Sequence, residues 1–336
     1  MDKHEYQPHN GLWSLVSGLW LSLCFAITSF VDHLHHASFK DYLRENLPSP
    51  LKKVLVRLRA KIVIPIRLLL HRPPLTKKTR ITFEVHLAEH CNLNCAGCTH
   101  FAPLAEKEFP KLETFERDFK RLGELFSHKC GFVHLMGGEP LLNPDVNEYM
   151  RIARENFTEG KISLLTNGIL LMNMNDDFWK ACHDNNITIE VTHYPIKLDT
   201  QGIKQKAERF GVTLEWLGSS ASKAKTFFGK HAIDFTASQD MLKSFAYCGN
   251  GNSCRLLRDG KLYPCSFAGN VCHFNKKFGD KIKITDADYV DIYKTDADTI
   301  LQKGIEPVPL CRYCNLKAST KFPWHISQSN EIGDWS

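Results

Sequence analysis

From Arg80 onward, short β-rich runs alternate with amphipathic helical patterns, and this alternation limits the fold most. The β-rich runs cover residues 80–88, 132–138, 161–168, 187–195 and 212–218. Between them, periodic apolar residues predict helices over 111–126, over 143–156 with Asn143 as its cap, near 175–185 and near 201–210. Repeated strand, helix, strand units imply a parallel sheet with right-handed crossovers. We therefore predict an α/β fold with its functional residues at the carboxyl ends of the strands.

Three cysteines directly follow the first β-rich run. Cys91, Cys95 and Cys98 lie in the stretch HCNLNCAGCTHF, which has no fourth cysteine. A structural zinc site usually takes four protein ligands, and a disulfide framework suits short secreted chains rather than one of 336 residues. A four-iron, four-sulfur cluster takes one thiolate per iron, so three cysteines would leave one iron open to another ligand. The spacing favours such a cluster over zinc and does not by itself decide between them.

Glycines and polar residues follow the next three strands. They are Gly137, Gly138, Glu139, Thr166, Asn167, His193 and Tyr194. The two glycines would let the backbone come close to a ligand, and Glu139 could accept a hydrogen bond from an ammonium group. Taken alone, GGEP and NG are equally typical of tight turns. Because parallel strands end at one rim, we expect these residues to lie near the cysteines.

In this order, CxxxCxxC, GGEP and TNG resemble the radical S-adenosylmethionine (radical SAM) superfamily over about residues 80–230. The resemblance implies a partial (β/α)6 TIM-like barrel over 78–235. It also implies that the three cysteines of the loop bind a four-iron, four-sulfur cluster whose open iron takes the amino and carboxylate groups of S-adenosylmethionine. The implied cofactor-binding residues are Gly137, Gly138, Glu139, Thr166 and Asn167. Members commonly have an aromatic residue before the third cysteine, where this chain has Gly97, so Phe101 is a candidate for adenine packing.

A second group of cysteines lies in the C-terminal third. Its predicted members are Cys248, Cys265, Cys311 and Cys314, with a hairpin around residues 259–260. The layout resembles the auxiliary-cluster extensions called SPASM and Twitch domains, which implies a domain over 240–336 with one auxiliary four-iron, four-sulfur cluster. Zinc is the alternative occupant. Cys254 and Cys272 could replace Cys248, donate hydrogen, or be buried thiols.

The basic charge is concentrated at the N-terminus. Residues 1–80 have a net charge of +8 and the remainder −2, out of +6 for the chain, so the main body gives no sign of nucleic-acid binding. Residues 11–31 are uncharged and residues 51–72 form a basic amphipathic segment. We predict a helical segment over 1–75 that associates with a membrane, with the enzyme body in the cytoplasm at its inner face. A helical hairpin packed on the protein is the alternative, and a cleaved signal peptide is disfavoured.

The layout of the second cysteine group resembles that of a radical SAM alcohol dehydrogenase acting on an aminocyclitol. By this resemblance, the 5′-deoxyadenosyl radical would take a carbinol hydrogen from a carbohydrate-like alcohol, and the auxiliary cluster would accept the electron. His193 is the candidate base, although a histidine at a strand end is more often structural. A flavodoxin or ferredoxin is the expected electron donor. The alternatives are modification of a ribosomal peptide and a non-catalytic metal-binding protein tethered at a membrane.

Overall fold

Alternating strands and helices form the larger part of the fold, as the sequence predicts. The computed structural model describes residues 81–217, 224–248, 254–304 and 306–336. The first five strands are Thr82–Ala88 (β1), Lys129–Gly137 (β2), Glu159–Thr166 (β3), Ile187–Val191 (β4) and Leu214–Trp216 (β5). The helices that connect them are Leu112–Leu125 (α1), Val146–Asn156 (α2), Asp176–Asp184 (α3) and Thr200–Phe210 (α4). Each successive pair of these strands is parallel, which confirms the α/β prediction.

The C-terminal third adds strands and shorter helices. Its strands are Phe227–Lys230 (β6), Cys254–Arg258 (β7), Lys261–Tyr263 (β8), Val290–Asp291 (β9) and Thr320–Pro323 (β10). Its helices are Met241–Tyr247 (α5), Ser266–Phe278 (α6) and Ala297–Lys303 (α7). Single 3-10 turns cover Ala102–Leu104, Pro140–Leu142, Leu171–Asn173, Asp286–Asp288, Pro309–Tyr313 and Ile332–Asp334.

One eight-stranded sheet organises the fold, in the order β5-β4-β3-β2-β1-β7-β8-β9. Six of its strands are parallel, as in a partial (β/α)6 barrel, but the sixth, β7, lies beside β1 rather than beyond β5. Within the described strands, β5 and β9 are the edges, so the sheet is open. The predicted hairpin joins β7 to β8, and Asp259 and Gly260 both have positive φ, 49° and 71°, as a type I′ turn requires.

Two apolar cores hold this arrangement. The larger core lies between the sheet and α1 to α4, where Phe115, Phe119 and Leu122 are buried on the inner face of α1. All residues of β1 are buried, as expected for a parallel strand covered on both faces. The smaller core forms around α6 and includes Trp335.

Helix α2 begins at Val146, two residues later than a cap at Asn143 predicts. The side chain of Asn143 is the reason, and it does not cap the helix. Its Oδ1 accepts from the Asp145 backbone N–H at 2.8 Å and its Nδ2 donates to the Leu87 carbonyl at 2.6 Å. Asn143 therefore forms a turn after β2 and fastens it to the end of β1.

The predicted N-terminal segment, 1–75, lies outside the described residues. Among the residues that are described, no helix has the length and apolar character needed to cross a membrane.

Candidate active site

A cavity of about 310 Å³ lies at the carboxyl ends of β1 to β4. Its wall includes eight of the site residues predicted from the sequence: Cys91, Cys95, Cys98, Gly137, Gly138, Thr166, Asn167 and Tyr194. Its size is at the lower end of the roughly 300–1,000 Å³ that ligand pockets usually occupy. The parallel topology therefore brings the cysteine loop, the two glycines and the end of β3 around one space.

The two glycines allow β2 to pack against the start of the cysteine loop. A Cβ on Gly137 would lie 2.2 Å from the Ala88 carbonyl oxygen, and one on Gly138 would lie 2.0 Å from the His90 carbonyl oxygen. The Gly138 N–H donates to the Ala88 carbonyl at 2.8 Å, and the Glu139 N–H donates to the His90 carbonyl at 3.0 Å. The backbone of the loop therefore leaves no room for a side chain at position 137 or 138, whether or not a ligand also approaches these glycines.

Glu139 is fully buried beside these glycines and joins the ends of β2 and β3. Its carboxyl group accepts hydrogen bonds from Thr166 Oγ1 at 2.6 Å, the Asn167 N–H at 2.9 Å and the Leu141 N–H at 3.1 Å. Burial raises the pKa of Glu139 to about 7, and these hydrogen bonds act in the opposite direction. Glu139 thus fixes Thr166 and Asn167 at the cavity wall, while its predicted contact with an ammonium group stays a prediction.

N–H groups point at the sulfur atoms of the cysteine loop. The Leu93 N–H lies 3.4 Å from Cys91 Sγ, and Asn167 Nδ2 lies 3.8 Å from the same atom. Trp324 Nε1 donates to Cys95 Sγ at 3.2 Å. Burial raises the pKa of the Cys91 thiol to about 12 and that of Cys95 to about 11, so deprotonation of these thiols would accompany metal binding.

Cys98 has a similar environment. Burial raises the pKa of its thiol, and hydrogen bonds from the backbone of residues 100–102 oppose this rise. Three thiols on one loop, each with N–H donors directed at it, fit a cluster that takes three protein thiolates.

The C-terminal segment covers the cysteine loop. The Ala96 N–H donates to the His325 carbonyl at 3.1 Å, and the Gly97 N–H donates to the Asp334 carbonyl at 2.8 Å. A Cβ at Gly97 would lie 2.8 Å from the ring of Phe322 in β10. Space that an aromatic side chain at position 97 would need is therefore occupied by an aromatic ring from a distant part of the chain.

Two sequence candidates lie away from the cavity wall. Phe101 is 2% exposed, and its ring packs against Phe267 and Phe274 of α6 with centroid distances of 5.8 and 5.2 Å. Its suggested adenine-packing role is corrected accordingly: Phe101 is a core residue. The ring of His193 packs edge-on against Trp216 at 5.7 Å. Its role as a base stays a prediction.

Lys225 and Phe228 also line the cavity, beside Tyr194, and no pattern in the sequence predicts these two residues there. Lys225 Nζ lies 4.6 Å from the centroid of the Phe228 ring. Burial lowers the pKa of Lys225, and the neighbouring thiols Cys95 and Cys98 act in the opposite direction. A partly buried cation and a phenol on the wall make the cavity suited to a polar ligand.

The four cysteines predicted for the second group interact with one another. They are Cys248, Cys265, Cys311 and Cys314. Burial raises the pKa of the Cys265 thiol to about 12, and the negative charges of its thiolate neighbours add to this rise. His231 Nε2 lies 3.2 Å from Cys314 Sγ, and burial lowers the pKa of His231 to about 4, so its imidazole is neutral. The donor set, four clustered thiols, has the composition that a cubane cluster takes.

The remaining cysteines of this region have other neighbours. Cys254 interacts with the carboxyl group of Glu84 and with Arg255. Cys272 is exposed and receives a hydrogen bond from Arg258 Nη1 at 3.0 Å, so it is not a buried thiol. Within the described ranges, no three His, Cys, Asp or Glu side chains are arranged to hold a single metal ion.

Comparison with protein families gives a match that coincides with this cavity. The model of the radical SAM superfamily matches residues 85–214, which carry all three cysteines of the loop, both glycines and the end of β3. The matched region, which is less than half of the chain, is therefore similar to the radical SAM superfamily. The cofactors implied by the sequence motifs, a four-iron, four-sulfur cluster and S-adenosylmethionine, are those of the radical SAM superfamily.

Individual proteins match the sequence of this chain over short stretches. The 7,8-dihydro-6-hydroxymethylpterin dimethyltransferase of Methanocaldococcus jannaschii is 32% identical over 30% of this chain and 20% of its own length. The GTP 3′,8-cyclase of Aliarcobacter butzleri is 29% identical over 27% of this chain and 28% of its own length. The chain therefore matches less than a third of either relative. Among solved structures, BtrN in complex with AdoMet and 2-DOIA is 16% identical, with a TM-score of 0.42 over 77% of this chain and 99% of BtrN.

Proposed function

We propose that this radical SAM enzyme oxidises a carbohydrate-like alcohol and passes an electron to an auxiliary four-iron, four-sulfur cluster. The observation that carries the proposal is the second thiol group, Cys248, Cys265, Cys311 and Cys314, in the same compact unit as the cavity. Oxidation of an alcohol removes two electrons and two protons from the substrate. One hydrogen atom goes to the radical and one proton to a base, so a further electron needs an acceptor, which this thiol group would hold.

In this proposal Cys91, Cys95 and Cys98 hold the first cluster. Gly137, Gly138, Glu139, Thr166 and Asn167 orient S-adenosylmethionine beside it. When bound, these cofactors supply a 5′-deoxyadenosyl radical that abstracts hydrogen from a substrate C–H bond. The match of residues 85–214 to the radical SAM superfamily supports this enzymatic role over that of a non-catalytic metal-binding protein.

Lys225 and Tyr194 support a polar, hydroxylated substrate, because both line the cavity. A neutral lysine can accept a proton, and so can a histidine. Burial raises the pKa of Tyr194 well above its ordinary value, so its phenol stays protonated and can donate a hydrogen bond to a substrate oxygen. His193 remains the first candidate for the base, with Lys225 as the alternative. The apolar ring of Phe228 lines the same wall and would exclude water from the reacting centre.

The rest of the assignment follows from the proposed chemistry. Residues 240–336 act as the auxiliary-cluster domain, and a flavodoxin or ferredoxin delivers the reducing electron. Because reduced clusters need a reducing compartment, the enzyme body works in the cytoplasm. A membrane-associated segment over 1–75 would place it at the inner face of the membrane, near envelope glycans or their precursors.

Iron and sulfide counts on anaerobically purified protein test the two-cluster assignment. The parent should hold about eight irons per chain, and the triple variant Cys91→Ala, Cys95→Ala, Cys98→Ala about four. Cys272→Ser, which removes an exposed thiol outside both groups, is the matched control and should keep the parental count. Four irons in the parent and none in the triple variant would remove the auxiliary cluster, and zinc in either place would contradict the proposal.

Product analysis tests the reaction. With a reductant and a panel of aminocyclitols and sugars, we expect 5′-deoxyadenosine and a ketone to form in equal amounts. Substitution of deuterium at the carbinol carbon should transfer the label to 5′-deoxyadenosine. Label transfer from a peptide side chain instead would identify a peptide-modifying enzyme.

A further inference from the structure

The two cysteine groups are connected by a short antiparallel ribbon. Strands β6 and β10 pair from Phe227 opposite Pro323 to Lys230 opposite Thr320. The chain leaves β10 directly into Trp324 and leaves β6 directly into His231. At 3.4 Å per residue, the five residues from Phe227 to His231 span about 14 Å, and this is the length of the ribbon.

At one end, the ribbon meets the cysteine loop through two separate contacts. Trp324 Nε1 donates to Cys95 Sγ at 3.2 Å. Two residues further along, Ile326 forms an isolated antiparallel β-bridge with Cys95. The indole N–H of tryptophan can only donate, so Cys95 Sγ is the acceptor in this contact.

At the other end, the ribbon meets the second thiol group in the same way. His231 Nε2 lies 3.2 Å from Cys314 Sγ. Two residues further along, Ile233 forms an isolated antiparallel β-bridge with Cys314. A metal-bound thiolate carries no proton and can only accept, so His231 Nε2 must be the protonated ring nitrogen when a cluster is present.

Hydrogen bonds to cluster sulfurs have a known effect on redox behaviour. Reduction adds negative charge to a cluster, and an N–H donor at a ligating sulfur stabilises that charge, which raises the reduction potential. We propose that Trp324 and His231 are positioning residues that each raise the reduction potential of the cluster at their own end of the ribbon. The part of this inference that concerns His231 rests on the proposed auxiliary cluster.

Two matched variants separate this role from a general structural one. Trp324→Phe keeps an aromatic ring to stack on Tyr194, which lies 5.6 Å from Trp324, and removes the N–H. His231→Phe likewise keeps a ring against Phe267, at a centroid distance of 4.9 Å in the parent, and removes the donor. His231→Gln retains an N–H near the ε position and is the conservative rescue.

The measurement is a redox titration of the full-length protein, followed by electron paramagnetic resonance, in which the two clusters are distinguished by their signals. Trp324→Phe should lower the potential of the cluster on the cysteine loop and leave the other unchanged, and His231→Phe should do the reverse. One lost hydrogen bond to a charged acceptor corresponds to about a tenfold lower ratio of reduced to oxidised cluster at a given potential, or about 59 mV for one electron. His231→Gln should remain near the parental potential.

Other outcomes also decide the question. Equal shifts of both clusters in either variant, or unchanged potentials with full iron content, would overturn the inference and leave the proposed function intact. Loss of iron from either cluster would also overturn it, because the residue would then be needed to hold the cluster rather than to set its potential. A parent with only four irons would refute the proposed auxiliary cluster and with it the part of the inference that concerns His231. The Trp324→Phe result would then decide whether Trp324 raises the potential of the cluster on the cysteine loop.

Discussion

Gly138→Ala should prevent the cysteine loop from holding its cluster. The added Cβ would lie 2.0 Å from the His90 carbonyl oxygen and 2.8 Å from the Cys91 nitrogen, and both are backbone atoms that cannot rotate away. Non-bonded carbon and oxygen normally stay at least about 3.3 Å apart, so the start of the loop must move by about 1.3 Å. Metal–ligand distances tolerate changes of only about 0.2 Å. The displacement is therefore several times larger than a cluster ligand can follow.

The assay combines iron content with thermal unfolding. We expect iron to fall from about eight to about four per chain, because the second thiol group is untouched. Overpacking of this kind costs about 1–3 kcal/mol, which lowers the melting temperature by about 2–12 °C for a unit of this size. Gly333→Ala is the matched control, because a Cβ there meets nothing within 4 Å. Full iron content and parental 5′-deoxyadenosine formation in Gly138→Ala would refute the steric reasoning.

Two further predictions concern stability. Asp118 accepts from the Gly260 N–H at 2.7 Å and the Tyr293 hydroxyl at 2.5 Å, so Asp118→Asn should lower the free energy of unfolding by about 2–3 kcal/mol in urea titrations. An unchanged midpoint would show that Asp118 does not anchor the β7–β8 hairpin. Burial lowers the pKa of His100 to about 3, below the value of about 6.5 in an unfolded chain. Stability from His100 is therefore complete above pH 6.5 and declines as the pH falls towards 3, and His100→Gln should flatten urea midpoints measured between pH 7 and pH 4.5.

The parts of the fold that the sequence predicts are those with local causes. Apolar periodicity fixes α1 to α4, and parallel strands must end at one rim, so the order of the motifs is enough to bring Cys91, Gly138 and Asn167 together. The position of β7 beside β1 could not be predicted, because a hairpin pattern reveals its turn and not its neighbouring strand.

The rest of the site depends on contacts between distant parts of the chain. Trp324 reaches Cys95 across 229 residues of sequence, and no periodicity or spacing encodes such a contact. The position of Lys225 is equally non-local, because Lys225 lines the cavity from the segment that follows β5. Phe101 illustrates the opposite error: a residue near the cysteines in sequence turned towards the core of α6, with a left-handed φ of 50°.

The cover that the C-terminal segment forms over the cysteine loop has a consequence for biogenesis. Cys95 is synthesised 229 residues before Trp324. At about 5–20 residues per second, translation leaves an interval of roughly 10–50 seconds between the two. Throughout that interval the cysteine loop lacks the indole of Trp324 and the β-bridge that Ile326 forms with Cys95. We therefore expect iron and sulfide to be inserted after translation, and the cysteines of the loop to be kept reduced by the cell until then.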